Sequence, residues 1–413
     1  MTDTLADSPV RPKTAHAAPT DIVAAAAALV PTLRARAAHG DTLLRLPDET
    51  IADFEKARLF EMVVPKMYGG LQTSLETYLD TLIEVSRGDG SAAWVLGLLS
   101  TGTWMAATMY PQQVTDQVFA PGGRFRTCTT LNPRKATVRR VAGGYVIESG
   151  LWMYNSGFHH GHWDQLGIPL VNEAGEVTGR GSALLPISDV ISLDDWDPIG
   201  LRGSGSTSVT VKDVFVPDER VVTMSRNLQD DYASTHLRGE HTYRFPLIPI
   251  LATRLLCPMV GMAKAAVERL MEKIDTRGIA FTTYGKQSEA SVTHLQIGEA
   301  TAKLDAAESV VRNMIRLLDQ MAASGERMSV QQRARIWRDA GYASQMIREG
   351  VDQIASASGT AFINRNTPLS RVWHDVRVAS MHGALLRDTC IEIYGRVAAG
   401  VPVNTLLLPE LTG

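Results

Sequence analysis

A tract of short β-branched runs, roughly residues 121 to 222, lies between two long helical tracts. Within it, Tyr145-Val146-Ile147 and Ser208–Val216 are rich in β-branched residues and roughly alternate apolar with polar. Gly, Asp and Pro separate these runs, which is the pattern of antiparallel strands and turns. Ahead of the tract, helical periodicity covers Ile22–Ala38, Pro47–Leu59, Leu75–Arg87 and Ser91–Met109. The breaks carry helix-stop chemistry, as in Tyr68-Gly69-Gly70 and Gly88-Asp89-Gly90. Behind it, Leu304, Ala307, Val311, Met314 and Leu318 keep the 3-4-3-4 spacing of one buried helix face. The polar segment Met224–Tyr243 reads as a lid or excursion between sheet and bundle. The expected organisation is a disordered leader (1–20), an N-terminal helical domain (21–120), a central antiparallel β-domain (121–235) and a C-terminal four-helix bundle (236–413).

The chain's 413 residues, 45% of them hydrophobic, are ample for a large core. Its 41 basic and 44 acidic residues form no single-sign run, so neither composition nor patterning suggests a nucleic-acid partner. No apolar stretch approaches the roughly 18–20 residues of a membrane span. The first twenty residues lack an apolar h-region and read as a leader, not a signal peptide. Cys128, Cys257 and Cys390 are too far apart for a metal knuckle or a disulfide framework, which suits a reducing cytoplasm. His159-His160-Gly161-His162 lacks the separated second pair of a closed tetrahedral site, so no metal is expected. Gly203-Ser204-Gly205-Ser206-Thr207-Ser208 opens like a dinucleotide fingerprint. It lacks the third glycine and lies between strands, so no nicotinamide site follows from it.

The order helix, sheet, helix resembles the acyl-CoA dehydrogenase fold, and short motifs carry the resemblance from about residue 40 onward. Leu46-Pro47 through Pro65-Lys66-Met67-Tyr68-Gly69-Gly70 is similar to the family's N-terminal stretch. Gly88-Asp89-Gly90-Ser91-Ala92-Ala93-Trp94 is similar to its next helix start. Gly200-Leu201-Arg202-Gly203-Ser204-Gly205-Ser206 running to Asp213-Val214-Phe215-Val216-Pro217 is similar to its strand pair. The dehydrogenases of that family take an α-proton with a glutamate. At one place where it is expected stands Asn366, and at the other stand Thr253-Arg254. A neutral amide has no useful proton affinity near pH 7.

The chain instead resembles the two-component flavin-dependent monooxygenases that share this fold, the group D aromatic hydroxylases. Gly150-Leu151-Trp152-Met153-Tyr154-Asn155-Ser156-Gly157 is similar to the strand whose polar residue meets flavin N5. Arg254 and His382 fall where those enzymes place an active-site arginine and a catalytic histidine. The resemblance implies catalytic roles for His382, Ser156 and Arg254, with His382 accepting or relaying a proton from the inward stripe of the helix that starts near Val372. It implies flavin contacts from Thr129, Thr130, Asn132, Asn155, Ser156 and Lys286, and substrate contacts from Trp104, His159, His160 and Asn366. A second histidine often found on the helix Ser91–Met109 is absent; Thr101, Gly102, Thr103 and Trp104 stand there. Phe281 replaces an arginine that holds the FAD pyrophosphate in dehydrogenases, which favours FMN over FAD.

The reaction so implied uses reduced flavin and O2, through a C4a-hydroperoxyflavin, to hydroxylate a small aromatic substrate. The flavin would arrive from a separate NAD(P)H:flavin reductase, and the oxygenase would be a homotetramer. Alternatives are oxygenation of an amine nitrogen, as in the nitrososynthases of amino sugars, an acyl-CoA dehydrogenase with a relocated base, and a catalytically silent binding protein.

Overall fold

The computed structural model describes residues 21–405 and 407–408, so the expected leader lies outside the described residues. Five helices open the chain: α1 (Ile22–Leu43), α2 (Asp48–Lys56), α3 (Leu75–Gly88), α4 (Gly90–Met109) and α5 (Gln112–Val118). Side chains cap several of them. Asp21 accepts from the amides of Val23 and Ala24, and Ser74 accepts from Thr77. Such caps are worth about 1 kcal/mol each. Helix α4 is apolar all round, and every residue of it except Leu98 is buried. A helix of that kind belongs in the centre of a large protein.

Eight strands follow: β1 (Thr127–Thr130), β2 (Lys135–Val141), β3 (Gly144–Asn155), β4 (Trp163–Val171), β5 (Val177–Pro186), β6 (Ile191–Ser192), β7 (Thr207–Pro217) and β8 (Val221–Thr223). They form two four-stranded sheets, ordered β1-β4-β5-β8 and β2-β3-β7-β6. The expectation of a wholly antiparallel domain needs one correction, because β1 and β4 pair in parallel, Thr129 opposite Gln165. The hairpin of β2 and β3 leaves for the other sheet between them, so β4 returns beside β1 in the same direction. Trp152 on β3 ties the sheets together, fully buried and donating through Nε1 to the Gly167 carbonyl on β4 at 2.8 Å.

The C-terminal bundle has three long helices, α7 (Leu247–Met271), α8 (Ser291–Ser324) and α9 (Val330–Ala357), preceded by the short α6 (Met224–Leu228). Two short helices, α10 (Pro368–Ala379) and α11 (Arg387–Ala398), occupy the place of a single fourth one. All five residues of the spaced stripe on α8 are buried. Helix α7 is 25 residues long and, by length and composition, apolar enough to cross a membrane. Counting only uninterrupted apolar runs overlooked it, because Arg254 and Pro258 break the run. Its most apolar window is 83% buried within the fold, as befits the core helix of the bundle.

The segment between sheet and bundle is pinned rather than loose. The Tyr232 hydroxyl donates to the Phe245 carbonyl at 2.8 Å, and Tyr243 donates to Val63 at 2.9 Å. Ser234 donates to the Thr108 carbonyl of α4 at 2.5 Å. These polar sequences conceal anchors, so the segment forms a wall and not a free lid.

Candidate active site

The polar turn at the end of β3 is shaped by two local devices. A bulge breaks the β3–β7 register between Trp152 and Asn155, and Tyr154 adopts a left-handed φ of 65°. Bulges of this kind re-aim the strand end. Gly157 follows at φ 75°, and a Cβ there would lie 3.0 Å from Leu99 of α4. Glycine satisfies both demands at once.

That turn brings Ser156 against Trp94, whose indole Nε1 donates to its Oγ at 3.3 Å. Ser156 Oγ is also 2.7 Å from Ser206 Oγ, which is 2.7 Å from Ser204 Oγ. A hydroxyl has one proton and two lone pairs. With Trp94 donating to Ser156 and Ser156 donating to Ser206, one lone pair on Ser156 stays free to accept an N–H. Trp94, Ser204 and Ser206 were not singled out as site residues. The two serines lie inside the Gly200–Ser206 motif and Trp94 closes the Gly88–Trp94 motif, both used there for the fold alone.

His382 does not lie on a helix stripe, because α10 ends at Ala379 and His382 begins the following turn. Its ring is edge-on to Trp94 at 6.3 Å. Water reaches the side chain, yet the protein around it alone depresses its pKa to about 4. His382, Trp94 and Ser156 thus form one cluster. The Ala384 amide donates to His382 Nδ1 at 3.2 Å. An N–H can donate only to a lone pair, so the neutral ring carries its proton on Nε2. His382 therefore has its Nε2–H free of protein partners among the described residues.

One buried carboxyl joins the elements that carry these groups. Asp375 of α10 accepts from the Leu201 amide at 2.6 Å, and a Cβ on Gly90 at the start of α4 would lie 2.8 Å from its Oδ2. Burial raises its pKa well above the usual carboxylate range. The serine segment, the His382 turn and the Trp94 helix thus share one anchor.

Arg254 of α7 lies elsewhere along α4, only 4% exposed. Its guanidinium is sandwiched between Tyr78 at 5.0 Å and Trp104 at 5.1 Å from the ring centroids. Nε and Nη1 are buried without hydrogen-bond partners, and no carboxylate pairs with it among the described residues. Cation–π contacts return about 2 kcal/mol each when desolvated, against several kcal/mol for burying an ion. Trp104 is fixed by donating to the Thr242 carbonyl at 2.7 Å.

The expected flavin contacts separate into groups. Thr129 and Thr130 have buried hydroxyls without partners, and Gln165 opposite Thr129 has both side-chain polar atoms unpartnered. Such atoms are few in a native fold. Their concentration on β1 and β4 suits the mixed donor and acceptor edge of a flavin ring. Asn132 instead accepts from Arg180, on the exposed side of that loop. Asn155 is turned into the sheet domain, where it donates to Asp164 at 2.6 Å. Burial raises the pKa of Asp164 to about 7. Lys286 is exposed and makes no ion pair among the described residues, and Phe281 beside it is fully exposed.

The expected substrate contacts also disperse. His159 is exposed and 3.6 Å from Asp194, next to the serine segment, with its ring Cδ2 3.0 Å from where a Cβ on Gly205 would lie. His160 is buried among Arg45, Asp48 and Arg126, which burial and nearby cations make hard to protonate (pKa about 3). Arg126 also donates to the His160 carbonyl at 2.6 Å and lies 3.1 Å from His162 Nε2. The histidine run therefore serves a junction with the N-terminal domain more than the Ser156 cluster. Asn366 is exposed on the loop before α10. Thr253 donates to the Pro249 carbonyl at 2.8 Å, so neither expected position supplies a dehydrogenase carboxylate.

Comparison with known proteins agrees with this geometry. Residues 255–387 match the family described as acyl-CoA dehydrogenase, C-terminal domain. The chain is 28% identical over 381 residues to the flavin-dependent monooxygenase, oxygenase subunit HsaA, of Rhodococcus jostii strain RHA1, covering 92% of this chain and 99% of that one. It is 26% identical over 393 residues to the FADH(2)-dependent resorcinol hydroxylase, oxygenase component, of Rhizobium sp. strain MTP-10005, covering 92% and 94%. Among solved structures, XiaF from Streptomyces sp. in complex with FADH2 and glycerol superposes with a TM-score of 0.87 at 27% identity, covering 93% of this chain and 96% of that one. The chain has the acyl-CoA dehydrogenase fold, and the curated relatives it matches along most of its length are flavin-dependent monooxygenases and hydroxylases.

Proposed function

We propose that this chain is the oxygenase component of a two-component aromatic hydroxylase. Its relatives are named as oxygenase subunits or components, and two of them are tied by name or title to FADH2. Reduced flavin, once bound, would supply the chemistry, activating O2 so that one oxygen atom would enter the substrate and the other leave as water. A separate flavin reductase restores the two electrons. The expectation of FMN rests on Phe281, whereas the named relatives favour FAD, and titration of both reduced flavins separates them. The apolar side chains Val292, Leu295 and Tyr342, exposed on the bundle, support homotetramer assembly.

The observation that carries this reading is the meeting of Ser156 and His382 at Trp94. Thr129, Thr130 and Gln165 would hold the flavin edge. Ser156 keeps a lone pair for the flavin N5–H and so retains the proton whose loss releases peroxide. The His382 Nε2–H would donate to the phenol oxygen and so position the ring for attack. Incubation with reduced flavin, 18O2 and a panel of phenols tests the reading. Product carrying one 18O atom is expected; peroxide as the sole product across the panel contradicts it.

Two further outcomes follow. Ser156→Ala is expected to speed peroxide release about ten-fold or more, the value of one hydrogen bond to a group developing charge, as followed by the rate of peroxide formation without substrate. For His382, a pKa depressed to about 4 keeps the ring neutral throughout pH 5–8. The hydroxylation profile should therefore show its histidine-dependent acid limb near pH 4, with no loss at the ordinary histidine value of about 6.5. Stability has the matching sign. The unfolded chain takes up this proton first, so the folded state loses stability as pH falls from about 6.5 towards 4.

A further inference from the structure

Behind the turn that carries Ser156 lies a carboxyl with no charge to meet it. Asp164 on β4 and Asn155 at the end of β3 are both fully buried, and the Asn155 amide donates to Asp164 Oδ2 at 2.6 Å. Each group keeps one oxygen without a partner, Oδ1 in both cases. Charged and titratable neighbours are few. β1 places Cys128 opposite Asp164, its thiol pushed well up by burial, and β5 places Leu185 there. Asn155 stands opposite Thr207 on β7. Arg126, just ahead of β1, spends its guanidinium on Glu55, the His160 carbonyl and His162. His162 is pushed down to about 4 by burial and by Arg126, so it adds no charge near neutral pH. Asp164 makes no ion pair among the described residues, and a lone carboxylate in a dry interior costs several kcal/mol. The group therefore holds a proton, and burial lifts its pKa to about 7. A proton on Asp164 Oδ1 is the donor that Asn155 Oδ1 lacks.

The pair governs where the next residue points. The β3–β7 register slips between Trp152 and Asn155, and Tyr154 is held at a left-handed φ of 65°. For a residue with a side chain of this size, that backbone costs about 1–3 kcal/mol and persists only where its surroundings enforce it. The backbone ties of the turn are Ser156 N–H to the Tyr154 carbonyl at 3.1 Å and Gly157 N–H to the Ser204 carbonyl at 3.0 Å. Asp164 adds the side-chain tie. With Asn155 drawn inward to β4, Ser156 faces the other way, to Trp94 and Ser206. Without that grip Tyr154 can relax, and the Ser156 hydroxyl turns with it.

Resting on the oxygenase reading, we propose that Asp164 is the positioning residue for Ser156: the neutral acid grips Asn155 and so aims the Ser156 hydroxyl, and ionisation of the acid releases that aim. Asp164→Asn keeps a neutral group of the same shape with one donor and one acceptor, whereas Asp164→Ala removes the grip. Without substrate, wild type loaded with reduced flavin should release peroxide about ten-fold faster at about pH 8.5 than at about pH 6, while Asp164→Asn stays slow at both. Asp164→Ala should be fast at both, and adding Ser156→Ala to it should bring no further acceleration. A wild type and an Asp164→Asn variant that share one pH profile overturn the proposal, as does a double variant whose two effects multiply. Thermal melts of the flavin-free proteins give a reading independent of turnover. The unfolded chain gives up this proton near about 4 and the folded chain near about 7. Wild type should therefore lose stability relative to Asp164→Asn as pH rises through that window, and the difference should stay level above it. A difference that is constant from about pH 4 to about pH 8 also overturns the proposal. Failure of the oxygenase reading is distinguishable, because wild type then reoxidises flavin at the rate of free flavin while the melts still report on Asp164.

Discussion

Replacing His382 by alanine is expected to reduce hydroxylated product by about 10²–10⁴-fold, the range for a positioned acid–base or hydrogen-bonding group. Flavin binding and the reaction of reduced flavin with O2 should continue, because the Ser156 contacts are untouched. The tautomer makes the prediction sharper. Nδ1 is occupied by the Ala384 amide, which leaves Nε2–H as the working atom. A glutamine amide can place an N–H close to that atom but cannot accept a proton near neutral pH. His382→Gln should therefore retain at least about ten-fold more product than His382→Ala, and His382→Asn, whose shorter arm imitates Nδ1, should not. Equal loss in the glutamine and alanine variants would mean that the ring acts as a base and that the Ala384 contact breaks during turnover. Coupling efficiency, product formed per flavin oxidised, is the quantity to measure.

The second large effect concerns packing. A Cβ added at Gly102 would lie 2.0 Å from the Thr127 carbonyl oxygen, so α4 and β1 cannot keep their spacing around any other residue. Backbone must move, because the obstructing atom is not the end of a flexible side chain. Gly102→Ala is expected to cost about 3 kcal/mol, the upper part of the overpacking range, and to lower Tm by roughly 3–4 °C. Because β1 carries Thr129 and Thr130, affinity for reduced flavin should fall as well. Gly97→Ala on the same helix is the control. Its nearest contact would be an ordinary 3.4 Å to Leu82, so alanine there should be close to neutral or slightly stabilising. Thermal melts and flavin titrations of both variants separate the close approach from a general intolerance of α4. The same close approach explains why a histidine on this turn of α4 has no room at position 102.

Much of this architecture was legible in the sequence, because periodicity reports burial. The α8 stripe and the change of texture near residue 121 both translate directly into elements. The parallel pairing of β1 with β4 was not legible, since alternation is the same in either direction. Helix α7 escaped as a single apolar element because a buried arginine and a proline interrupt it, and only the aromatic sandwich explains why the arginine is tolerated.

Within the site, Ser156 and His382 could be placed by motif, but their partners could not. Trp94 resembles any core tryptophan until the β3 bulge brings Ser156 to its indole. The His382 tautomer depends on an amide two residues later in a turn that helical periodicity had extended through. Asn155 is adjacent to Ser156 in sequence and yet faces Asp164, because neighbouring residues of a strand point to opposite faces.

The central claim is most directly tested by rapid mixing of the protein, loaded with photoreduced flavin, with oxygenated buffer while the flavin spectrum is followed. The oxygenase reading predicts a transient distinct from both reduced and oxidised flavin, long-lived in wild type and shortened in Ser156→Ala. Direct return to oxidised flavin at the rate of free flavin, with no transient and no difference between the two proteins, would contradict it.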